Sequence, residues 1–278
     1  MKVQRPKLGL VFFVARWFEE VVLGNDDSAR EFGRFMNEDT ERIIKGLGDE
    51  CELVRCPMVS SNEKAREAAH LLLKEDVDAL LLCFVVWAED EYILPFKDLM
   101  SIRPTVLWVY TPYERAPEKT DIMTLFRNSG IVSCFQEFGV LKGMGLKPFF
   151  VFGNVLDGNS FEKIKKIAHA AQVRKKLQTV KLAVLPYRND QMIVTYVDEF
   201  RLYAQIGPKV DYISVLELKK AADSVPENEV KRYVEQIKSV FRIDERITEE
   251  NLYRSAQASL GLERIMNERD IDGLALSD

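Results

Sequence analysis

The sequence predicts an α/β fold made of two doubly wound parallel-sheet domains of the Rossmann-like or flavodoxin-like type. Short apolar runs rich in valine, leucine and isoleucine alternate with longer segments that have the charge pattern of surface helices. Several runs are apolar at nearly every position, which is typical of parallel strands covered by helices on both faces. A chain of 278 residues has the length of two domains.

The first domain is predicted to span residues 1–156 and to alternate strands with helices. Ser60 and Glu63 have the spacing of a capping box at the start of its second helix. This regular alternation predicts strands that are parallel to one another. The predicted strands are Lys7–Ala15, Cys51–Cys56, Val77–Trp87, Thr105–Tyr110 and Pro148–Phe152, and the predicted helices are Ala29–Leu47, Asn62–Lys74, Glu89–Met100 and Asn128–Gly143.

The turn-rich segment Gly153–Ser160 leads into a second domain, predicted at residues 157–278. Open parallel sheets bind ligands beyond the carboxyl ends of their strands, and this sequence stops directly after its last predicted strand. We therefore expect the second domain to be truncated at its C-terminal end; the alternative is that the last strand closes the sheet. The predicted elements are helix Phe161–Leu177, strand Val180–Pro186, helix Met192–Ile206, strand Tyr212–Leu216, a helix capped by Ser224 that reaches Phe241, a helix capped by Thr248 that reaches Arg269, and strand Ile271–Leu276.

Charge and apolar patterning exclude several classes of function. The net charge is -5, whereas nucleic acids and anionic membranes attract basic surfaces. No apolar stretch approaches the ~20 residues of a membrane span, and the N-terminal segment lacks the pattern of a signal peptide. The four cysteines form no C-x-x-C pair, which favours reduced thiols in a cytoplasmic protein.

A candidate ligand site lies at the carboxyl ends of the first-domain strands. Arg16 and Trp17 follow the first strand, and Trp87 ends the third. Because the carboxyl ends of parallel strands meet at one edge of a sheet, we expect these side chains to line one crevice. Indole rings stack on the C–H face of a sugar and a guanidinium donates several hydrogen bonds, so the set suits a polyhydroxyl ligand. The alternative is structural: Trp17 packs under a neighbouring loop, and Arg16 pairs with Glu19 or Glu20.

Acidic residues and histidines give weaker signals. The run Glu89–Glu91 and the pair Asp26–Asp27 could do acid–base chemistry or bind a divalent cation, but solvated acids in loops and at helix ends are more common. His70 and His169 lie in different predicted helices, and neither has a second ligand at i+3 or i+4. Because metal sites need clustered ligands, we predict no metal and no cofactor in this chain.

Four segments together resemble the L-fucose/L-arabinose isomerase family. Their order and spacing carry the resemblance across nearly the whole chain. A departure is the segment Pro186–Met192, which lacks the glycine-rich turn expected there. The segments are the opening strand Lys7–Val11 running into Arg16, the helix that contains Asn128–Gly130 and Gln136–Gly139, the stretch Gln191–Leu202, and the closing Asp272–Asp278.

The resemblance implies an aldose–ketose isomerase of carbohydrate metabolism that acts on a pentose or a deoxyhexose. The full-length family uses Mn²⁺ held by acidic and histidine ligands from the end of the second domain and from a third domain. In this chain the catalytic residues are therefore expected beyond Asp278. Arg16 and Trp87 match positions near the substrate, and Gln136 and Glu137 lie on the adjacent helix, so the resemblance implies substrate binding for all four.

The resemblance also implies a homo-oligomer with its active site between subunits, or a separate chain that carries the C-terminal domain. Two other interpretations stay open. A non-catalytic cytoplasmic sugar-binding or regulatory protein could keep the crevice without the catalytic domain. A two-domain binding protein of the periplasmic type, working in the cytoplasm, would have a hinge near Asp157.

Overall fold

A computed structural model describes residues 4–18, 27–115, 117–189 and 191–277. The chain divides into two compact units, Met1–Val173 and Arg174–Asp278. This division falls later than the predicted boundary at residue 156. The reason is that the helix Gly158–Leu177 packs most of its length on the first sheet, where Phe161 and Ile164 belong to the core.

The first unit is a five-stranded sheet with helices on both faces. A 3-10 helix, Asp90–Phe96, follows its third strand. The strands are β1 (Lys7–Phe13), β2 (Glu52–Arg55), β3 (Ala79–Phe84), β4 (Thr105–Thr111) and β5 (Phe149–Asn154). The helices are α1 (Asp27–Leu47), α2 (Asn62–Lys74), α3 (Lys97–Ile102), α4 (Ile122–Arg127), α5 (Gly130–Gly143) and α6 (Gly158–Leu177).

All strand pairs in this sheet are parallel, in the order β2-β1-β3-β4-β5. The prediction of a doubly wound α/β unit is confirmed, and the order is the flavodoxin-like one. Successive side chains of a strand point to opposite faces, so the sheet builds two cores. Phe13 and Phe84 pack with α2, α3 and α5, whereas Leu10 and Trp108 pack with α1 and α6.

The second unit contains a three-stranded parallel sheet in the order β7-β6-β8. Parallel pairing of both outer strands with the middle one confirms the predicted α/β class here too. The strands are β6 (Lys181–Leu185), β7 (Lys209–Tyr212) and β8 (Gly273–Leu276), and a 3-10 helix lies at Ile193–Thr195. The helices are α7 (Glu199–Gln205), α8 (Val215–Asp223), α9 (Glu227–Val240) and α10 (Glu249–Glu268).

Two apolar clusters hold the second unit together. In the first, Ala183 and Ile213 from the sheet side pack with Ile265 of α10 and with partly buried residues of α8. In the second, Val230 of α9 packs with Leu260 of α10. The helix α10 therefore joins the sheet on one side to α9 on the other.

Three predicted features of the first unit differ from the structure. Ser61, not Ser60, caps α2 by accepting a hydrogen bond from the backbone N–H of Lys64 at 3.3 Å. The predicted helix Glu89–Met100 is a 3-10 helix followed by α3, because Pro95 cannot donate to a continuous α-helical ladder. The predicted helix Asn128–Gly143 begins at Gly130 and is preceded by the separate short helix α4.

In the second unit the predicted strand Tyr212–Leu216 is wrong. The strand ends at Tyr212, and Ser214 caps α8. Ser224 does not cap the following helix, since it ends α8 instead. The predicted cap at Thr248 is confirmed, because its side chain accepts a hydrogen bond from the backbone N–H of Asn251 at 3.1 Å.

Candidate functional site

The carboxyl edge of the first sheet brings together the chain that follows β1 and the chain that follows β3. The backbone N–H of Ala15 donates to the carbonyl of Trp87 at 3.0 Å. This bond continues the pairing beyond the last residue of either strand. Arg16 and Trp17 are thereby placed next to the segment that begins at Trp87, as the sequence predicts.

Small and hydroxylated residues at the start of α5 let this helix approach the same edge. The Ser129 hydroxyl accepts a hydrogen bond from the backbone N–H of Trp87 at 2.8 Å, and the Ser133 hydroxyl accepts one from the following N–H at 3.0 Å. Gly130 lies so close to β3 that an added Cβ would be 2.0 Å from the carbonyl oxygen of Phe84. The contacts of Ser129, Gly130 and Ser133 therefore determine how closely α5 packs on the sheet.

Trp87 and Gln136 form a direct side-chain pair at this edge. The indole N–H of Trp87 donates to Oε1 of Gln136 at 3.1 Å. One part of the indole packs on a small core that contains Phe18 and Phe32, and the ring is half-buried. Gln136 is exposed. Two of the predicted substrate-binding residues thus lie together, with an accessible indole rim.

Trp17 and Arg16 lie in a helical turn after β1. The Trp17 ring stacks on Phe18 with centroids 3.7 Å apart and meets Phe126 edge-on at 5.5 Å, yet it remains 40% exposed. This packing matches part of the structural alternative for Trp17. Burial raises the pKa of Tyr92, and the positive charge of the exposed Arg16 opposes this rise only in part. The proposed pairing of Arg16 with residues 19 and 20 lies outside the described residues.

Glu137 is a completely buried acid at this edge. Its exposed fraction is 0%, and neither carboxyl oxygen has a hydrogen-bond partner among the residues that the structure describes. Burial, followed by the nearby charge of Asp90, raises the pKa of Glu137 to about 8. Burial therefore favours the protonated form of this carboxyl group.

Asp90 and Glu89 supply two more carboxyl groups from the segment that follows β3. One oxygen of each is buried and has no hydrogen-bond partner within the described ranges. Burial raises the pKa of Asp90. Burial and then the charge of Glu89 raise the pKa of Tyr92 to about 12, while the Tyr92 hydroxyl donates to the Ser60 carbonyl at 3.0 Å. The edge thus combines acidic, phenolic and indole groups.

Glu89 and Asp90 lie at the start of a helix, as expected, and both are partly exposed, but each also has one buried carboxyl oxygen. Glu91 is exposed and fits the interpretation as a solvated acid, and Asp27 is an exposed acid in the first turn of α1. Asp26 lies outside the described residues. The partial burial of Asp90 could not be inferred locally, since α5 lies far along the chain. The available signal was the helical spacing of Glu137 from the buried Ser133 and Leu141.

A separate buried polar cluster lies near the end of β4. Asp39 of α1, 2% exposed, accepts hydrogen bonds from the Tyr110 hydroxyl and from the Arg127 guanidinium, whose shortest contact is 2.9 Å. The guanidinium also lies over the Phe35 ring at 4.3 Å. Burial raises the pKa of Tyr110. Because these groups satisfy one another, we assign the cluster a structural role that ties α1 and α4 to the sheet.

Histidines and cysteines do not form a reactive site in the structure. His70 is exposed, and Nε2 of His169 lies 3.8 Å from Glu50. All four cysteines are free and buried, and burial raises the pKa of Cys51 to about 11 and that of Cys134 to about 12. Among the described residues, no group of three or more His, Cys, Asp and Glu side chains could hold a metal ion.

A groove of about 600 Å³ lies over the sheet of the second unit. Its lining includes Thr195 and Glu199 from the third segment of the resemblance. At its polar end, Arg188 Nε donates to the Tyr212 hydroxyl at 3.1 Å, and this hydroxyl donates to Glu199 at 2.6 Å. Arg188 also pairs with Glu199. These polar groups satisfy one another, unlike the carboxyl groups at the edge of the first sheet.

Within the described ranges, no helix combines the length and the apolar character needed to cross a membrane. The chain matches no family model and no curated protein. The buried carboxyl groups and the indoles at the carboxyl edge of the first sheet are thus the features from which a function can be inferred.

Proposed function

We propose that this chain binds a monosaccharide at the carboxyl edge of its first sheet and is related to the metal-dependent aldose–ketose isomerases of the L-fucose/L-arabinose type. The observation that carries the proposal is the Trp87–Gln136 pair beside the unpartnered Glu137. An indole offers a stacking surface for the C–H face of a sugar, while amide and carboxyl groups bond its hydroxyls. Arg16 and Trp17, on the neighbouring segment that follows β1, add a guanidinium and a second indole.

The proposed ligand is a pentose or a deoxyhexose, and sequence resemblance supports this choice. The residues Asn128–Gly130 and Gln136–Gly139 belong to one resembling segment, and in the structure this segment is the start and middle of α5. The same helix carries Ser129, which contacts the backbone of Trp87, and Gln136, which contacts its ring. The resemblance and the geometry thus concern the same set of residues.

A second candidate function is sugar binding without catalysis, in a regulatory or carrier protein of the cytoplasm. The specific observation that favours it is the donor set, because the described residues include no cluster that fits a divalent metal. The four buried free thiols support a reducing compartment. The two candidate functions share the sugar site. They differ in whether this chain acts together with a domain that supplies the metal ligands.

Tryptophan fluorescence tests the sugar site directly. L-fucose, L-arabinose and D-arabinose are each titrated into the protein, and we expect at least one to change the emission with saturation at millimolar concentration. Stacking on one aromatic face contributes about 1–2 kcal/mol, so tighter binding is not expected. Trp108 is buried and its indole N–H donates to the Gly153 carbonyl at 3.1 Å, so its emission serves as an internal reference.

The variant Trp87→Phe should lose the response while keeping the far-ultraviolet circular dichroism spectrum. Glu91→Gln, which alters an exposed acid next to Asp90, is the matched control and should respond as the unchanged chain does. If no pentose or hexose changes the emission of the folded protein, Arg16, Trp17 and Trp87 are packing residues and the proposal is wrong.

A further inference from the structure

The helix α5 is apolar on two opposite sides, although the first unit covers only one of them. Cys134 and Leu141 are buried in the core of this unit. On the other side, Val132 and Phe135 are 47% and 57% exposed, and the neighbouring Phe138 is 44% exposed. A surface helix normally carries polar residues on its solvent side, and a helix that is apolar all round is normally buried. The outer side of α5 thus has the composition of a covered surface.

Four exposed residues form a row along the outer side of α5. Val132, Phe135, Gly139 and Gly143 follow one another at intervals of three, four and four residues, so they lie on one face of the helix. The buried Glu137 lies on the opposite face. We call these four residues the α5 row. Apolar and small residues at this spacing are the pattern by which one helix packs lengthwise against another.

Phenylalanines of the edge strand β5 widen the α5 row into a patch. The strand β5 is the last of its sheet, and among the described strands it pairs with β4 alone. The ring of Phe152, which is 54% exposed, has its centroid 6.1 Å from that of Phe135. At about 200 Å² for a fully exposed phenylalanine side chain, Phe135, Phe138 and Phe152 together present about 300 Å² of apolar surface. Exposed apolar patches of about 300–600 Å² are often binding surfaces.

The backbone of β5 is a poor template for an added strand. The Ser160 hydroxyl donates to the carbonyl of Phe152 at 2.8 Å, so this acceptor is already occupied. Pro148, directly before the strand, has no N–H to donate. A partner strand needs a row of free donors and acceptors along the edge. A partner that packs its side chains on α5 therefore fits this surface better than a partner that adds a strand.

The α5 row is complementary in shape to a reversed copy of itself. Side chains project from Val132 and Phe135, whereas an added Cβ at Gly139 or Gly143 would have no neighbour within 4 Å. Two α5 helices that run antiparallel across a two-fold axis at Gly139 place Phe135 of each copy over Gly143 of the other. A methyl group on Gly139 still fits at the separation of about 8–10 Å that packed helices adopt.

We propose that the chain forms a two-fold symmetric dimer in which the α5 rows of two copies pack antiparallel. Such an interface uses the same surface on both copies, so the self-complementary row supplies both sides of its core. A standard interface buries about 800 Å² on each partner and has an apolar core within a polar rim. The phenylalanine patch has the area of the core, and Lys142, whose Nζ lies 6.0 Å from the centroid of the Phe138 ring, belongs to the rim. This inference is independent of the sugar site.

Sedimentation velocity of the purified chain measures the proposed association. We expect the mass of two chains at micromolar concentration and dissociation to single chains on dilution. A single chain at every accessible concentration would overturn the proposal.

The variant Phe135→Lys should weaken the dimer by at least about 100-fold, because the two-fold axis would bury the added charge twice. Gly143→Leu should weaken it as well, because the leucine occupies the space of the Phe135 ring. Both residues are exposed in the single chain, so the far-ultraviolet circular dichroism spectrum should not change. The matched control is Leu73→Lys on α2, which alters another leucine-sized exposed side chain and should leave the dimer intact. A dimer that survives Phe135→Lys would show that another surface holds the copies together.

A disulfide across the axis tests the antiparallel arrangement. The four native cysteines are buried and free, so a surface thiol introduced by Gly139→Cys reports on its own neighbours. We expect mild oxidation to link two copies of this variant, because residue 139 of each copy meets its equivalent at the axis. Leu73→Cys is the control and should stay unlinked under the same conditions. A dimeric protein that forms no link through Gly139→Cys would overturn the antiparallel packing of α5.

Discussion

Glu137 occupies a position where an acid lowers the stability of the fold. Its side chain is fully buried and its oxygens have no partner among the described residues. The neutral form avoids the larger penalty, which is the burial of an unpaired charge. An apolar residue or a glutamine would fit the same helical stripe at lower cost. Glu137 is therefore the residue of the first unit whose presence most needs a functional explanation.

The pH dependence of stability gives a test of that burial. The pKa of Glu137 is about 8 in the folded protein and 4.5 in its ordinary state. Between these values the folded chain holds a proton that the unfolded chain has lost, so stability falls as the pH rises from about 4.5 to about 8. Glu137→Gln lacks this loss. In urea unfolding, we expect the free energy of unfolding of the variant to rise relative to that of the unchanged chain by a few kcal/mol across this window. The difference should grow by up to about 1.4 kcal/mol per pH unit.

The matched control for this series is again Glu91→Gln, whose carboxyl is exposed. Its stability should follow that of the unchanged chain at every pH. Parallel pH curves for Glu137→Gln and the unchanged chain would mean that Glu137 is solvated in the native state, and its buried position would have to be abandoned.

At the residue scale, the sequence predicts the position of Trp87 at the end of a buried strand, but it does not predict which of the acids are buried. Trp87 could be placed because it ends an apolar run, and the carboxyl end of a buried strand is defined by that run. The environment of Asp90 could not be predicted, because the burial of an acid after a strand depends on which helix covers it. That helix, α5, is separated from Asp90 by β4 and α4, so no local pattern reports the contact.

At the element scale, α5 positions the candidate site through its first turn. Gly130 is the residue that permits the close approach to β3, since a Cβ there would be 2.0 Å from a backbone carbonyl. Gly139 lies on the same helix, and an added Cβ there would have no neighbour within 4 Å. The two glycines therefore serve different purposes and make a matched pair for mutation.

Gly130→Ala should destabilise the protein by about 1–3 kcal/mol, because the helix or β3 must move to accommodate the methyl group. Gly139→Ala should instead be neutral or stabilising by about 0.5–1 kcal/mol, because alanine has the better helix propensity. Urea unfolding at fixed pH compares them. Equal stability of the two variants would contradict the close packing of α5 on β3.

The elements themselves were largely predictable, and their limits were less so. The strands of the first unit follow from apolar runs, and the cap at Thr248 follows from its spacing to the acids of the first turn. The strand β7 was misplaced because Val215 and Leu216 extend the apolar character beyond Tyr212, whereas the Ser214 cap turns that stretch into α8. The same residues can pair in a strand or begin a helix after an N-cap, and the hydrophobic pattern does not distinguish these two structures.

At the scale of the whole molecule, two parallel sheets were predicted and are present. The division between the units was placed too early, since the turn at Gly153–Ser160 precedes a helix that packs back on the first core. A turn signal reports a change of direction of the chain and does not report which sheet the next helix covers. Contacts between distant residues determine that choice.

The donor set of the chain leads to a prediction about metal and turnover. Because no cluster of ligands occurs among the described residues and the two histidines lie apart, we expect no micromolar Mn²⁺ binding by calorimetry. We also expect no conversion of L-fucose, L-arabinose or D-arabinose to the corresponding ketose, measured by NMR with Mn²⁺ added. Robust turnover by the pure chain would show that the ligand set has been misidentified.

The most direct test of the sugar site is the response of the indole N–H signals in a ¹H–¹⁵N NMR spectrum to added pentose or deoxyhexose. The chain has three tryptophans, and each signal can be assigned with a Trp→Phe variant. We predict that the Trp87 signal, whose N–H donates to Gln136, shifts with saturation. Trp17 should shift less, and the buried Trp108 should stay in place. No shift at Trp87 at saturating concentrations of every sugar tested would contradict the account.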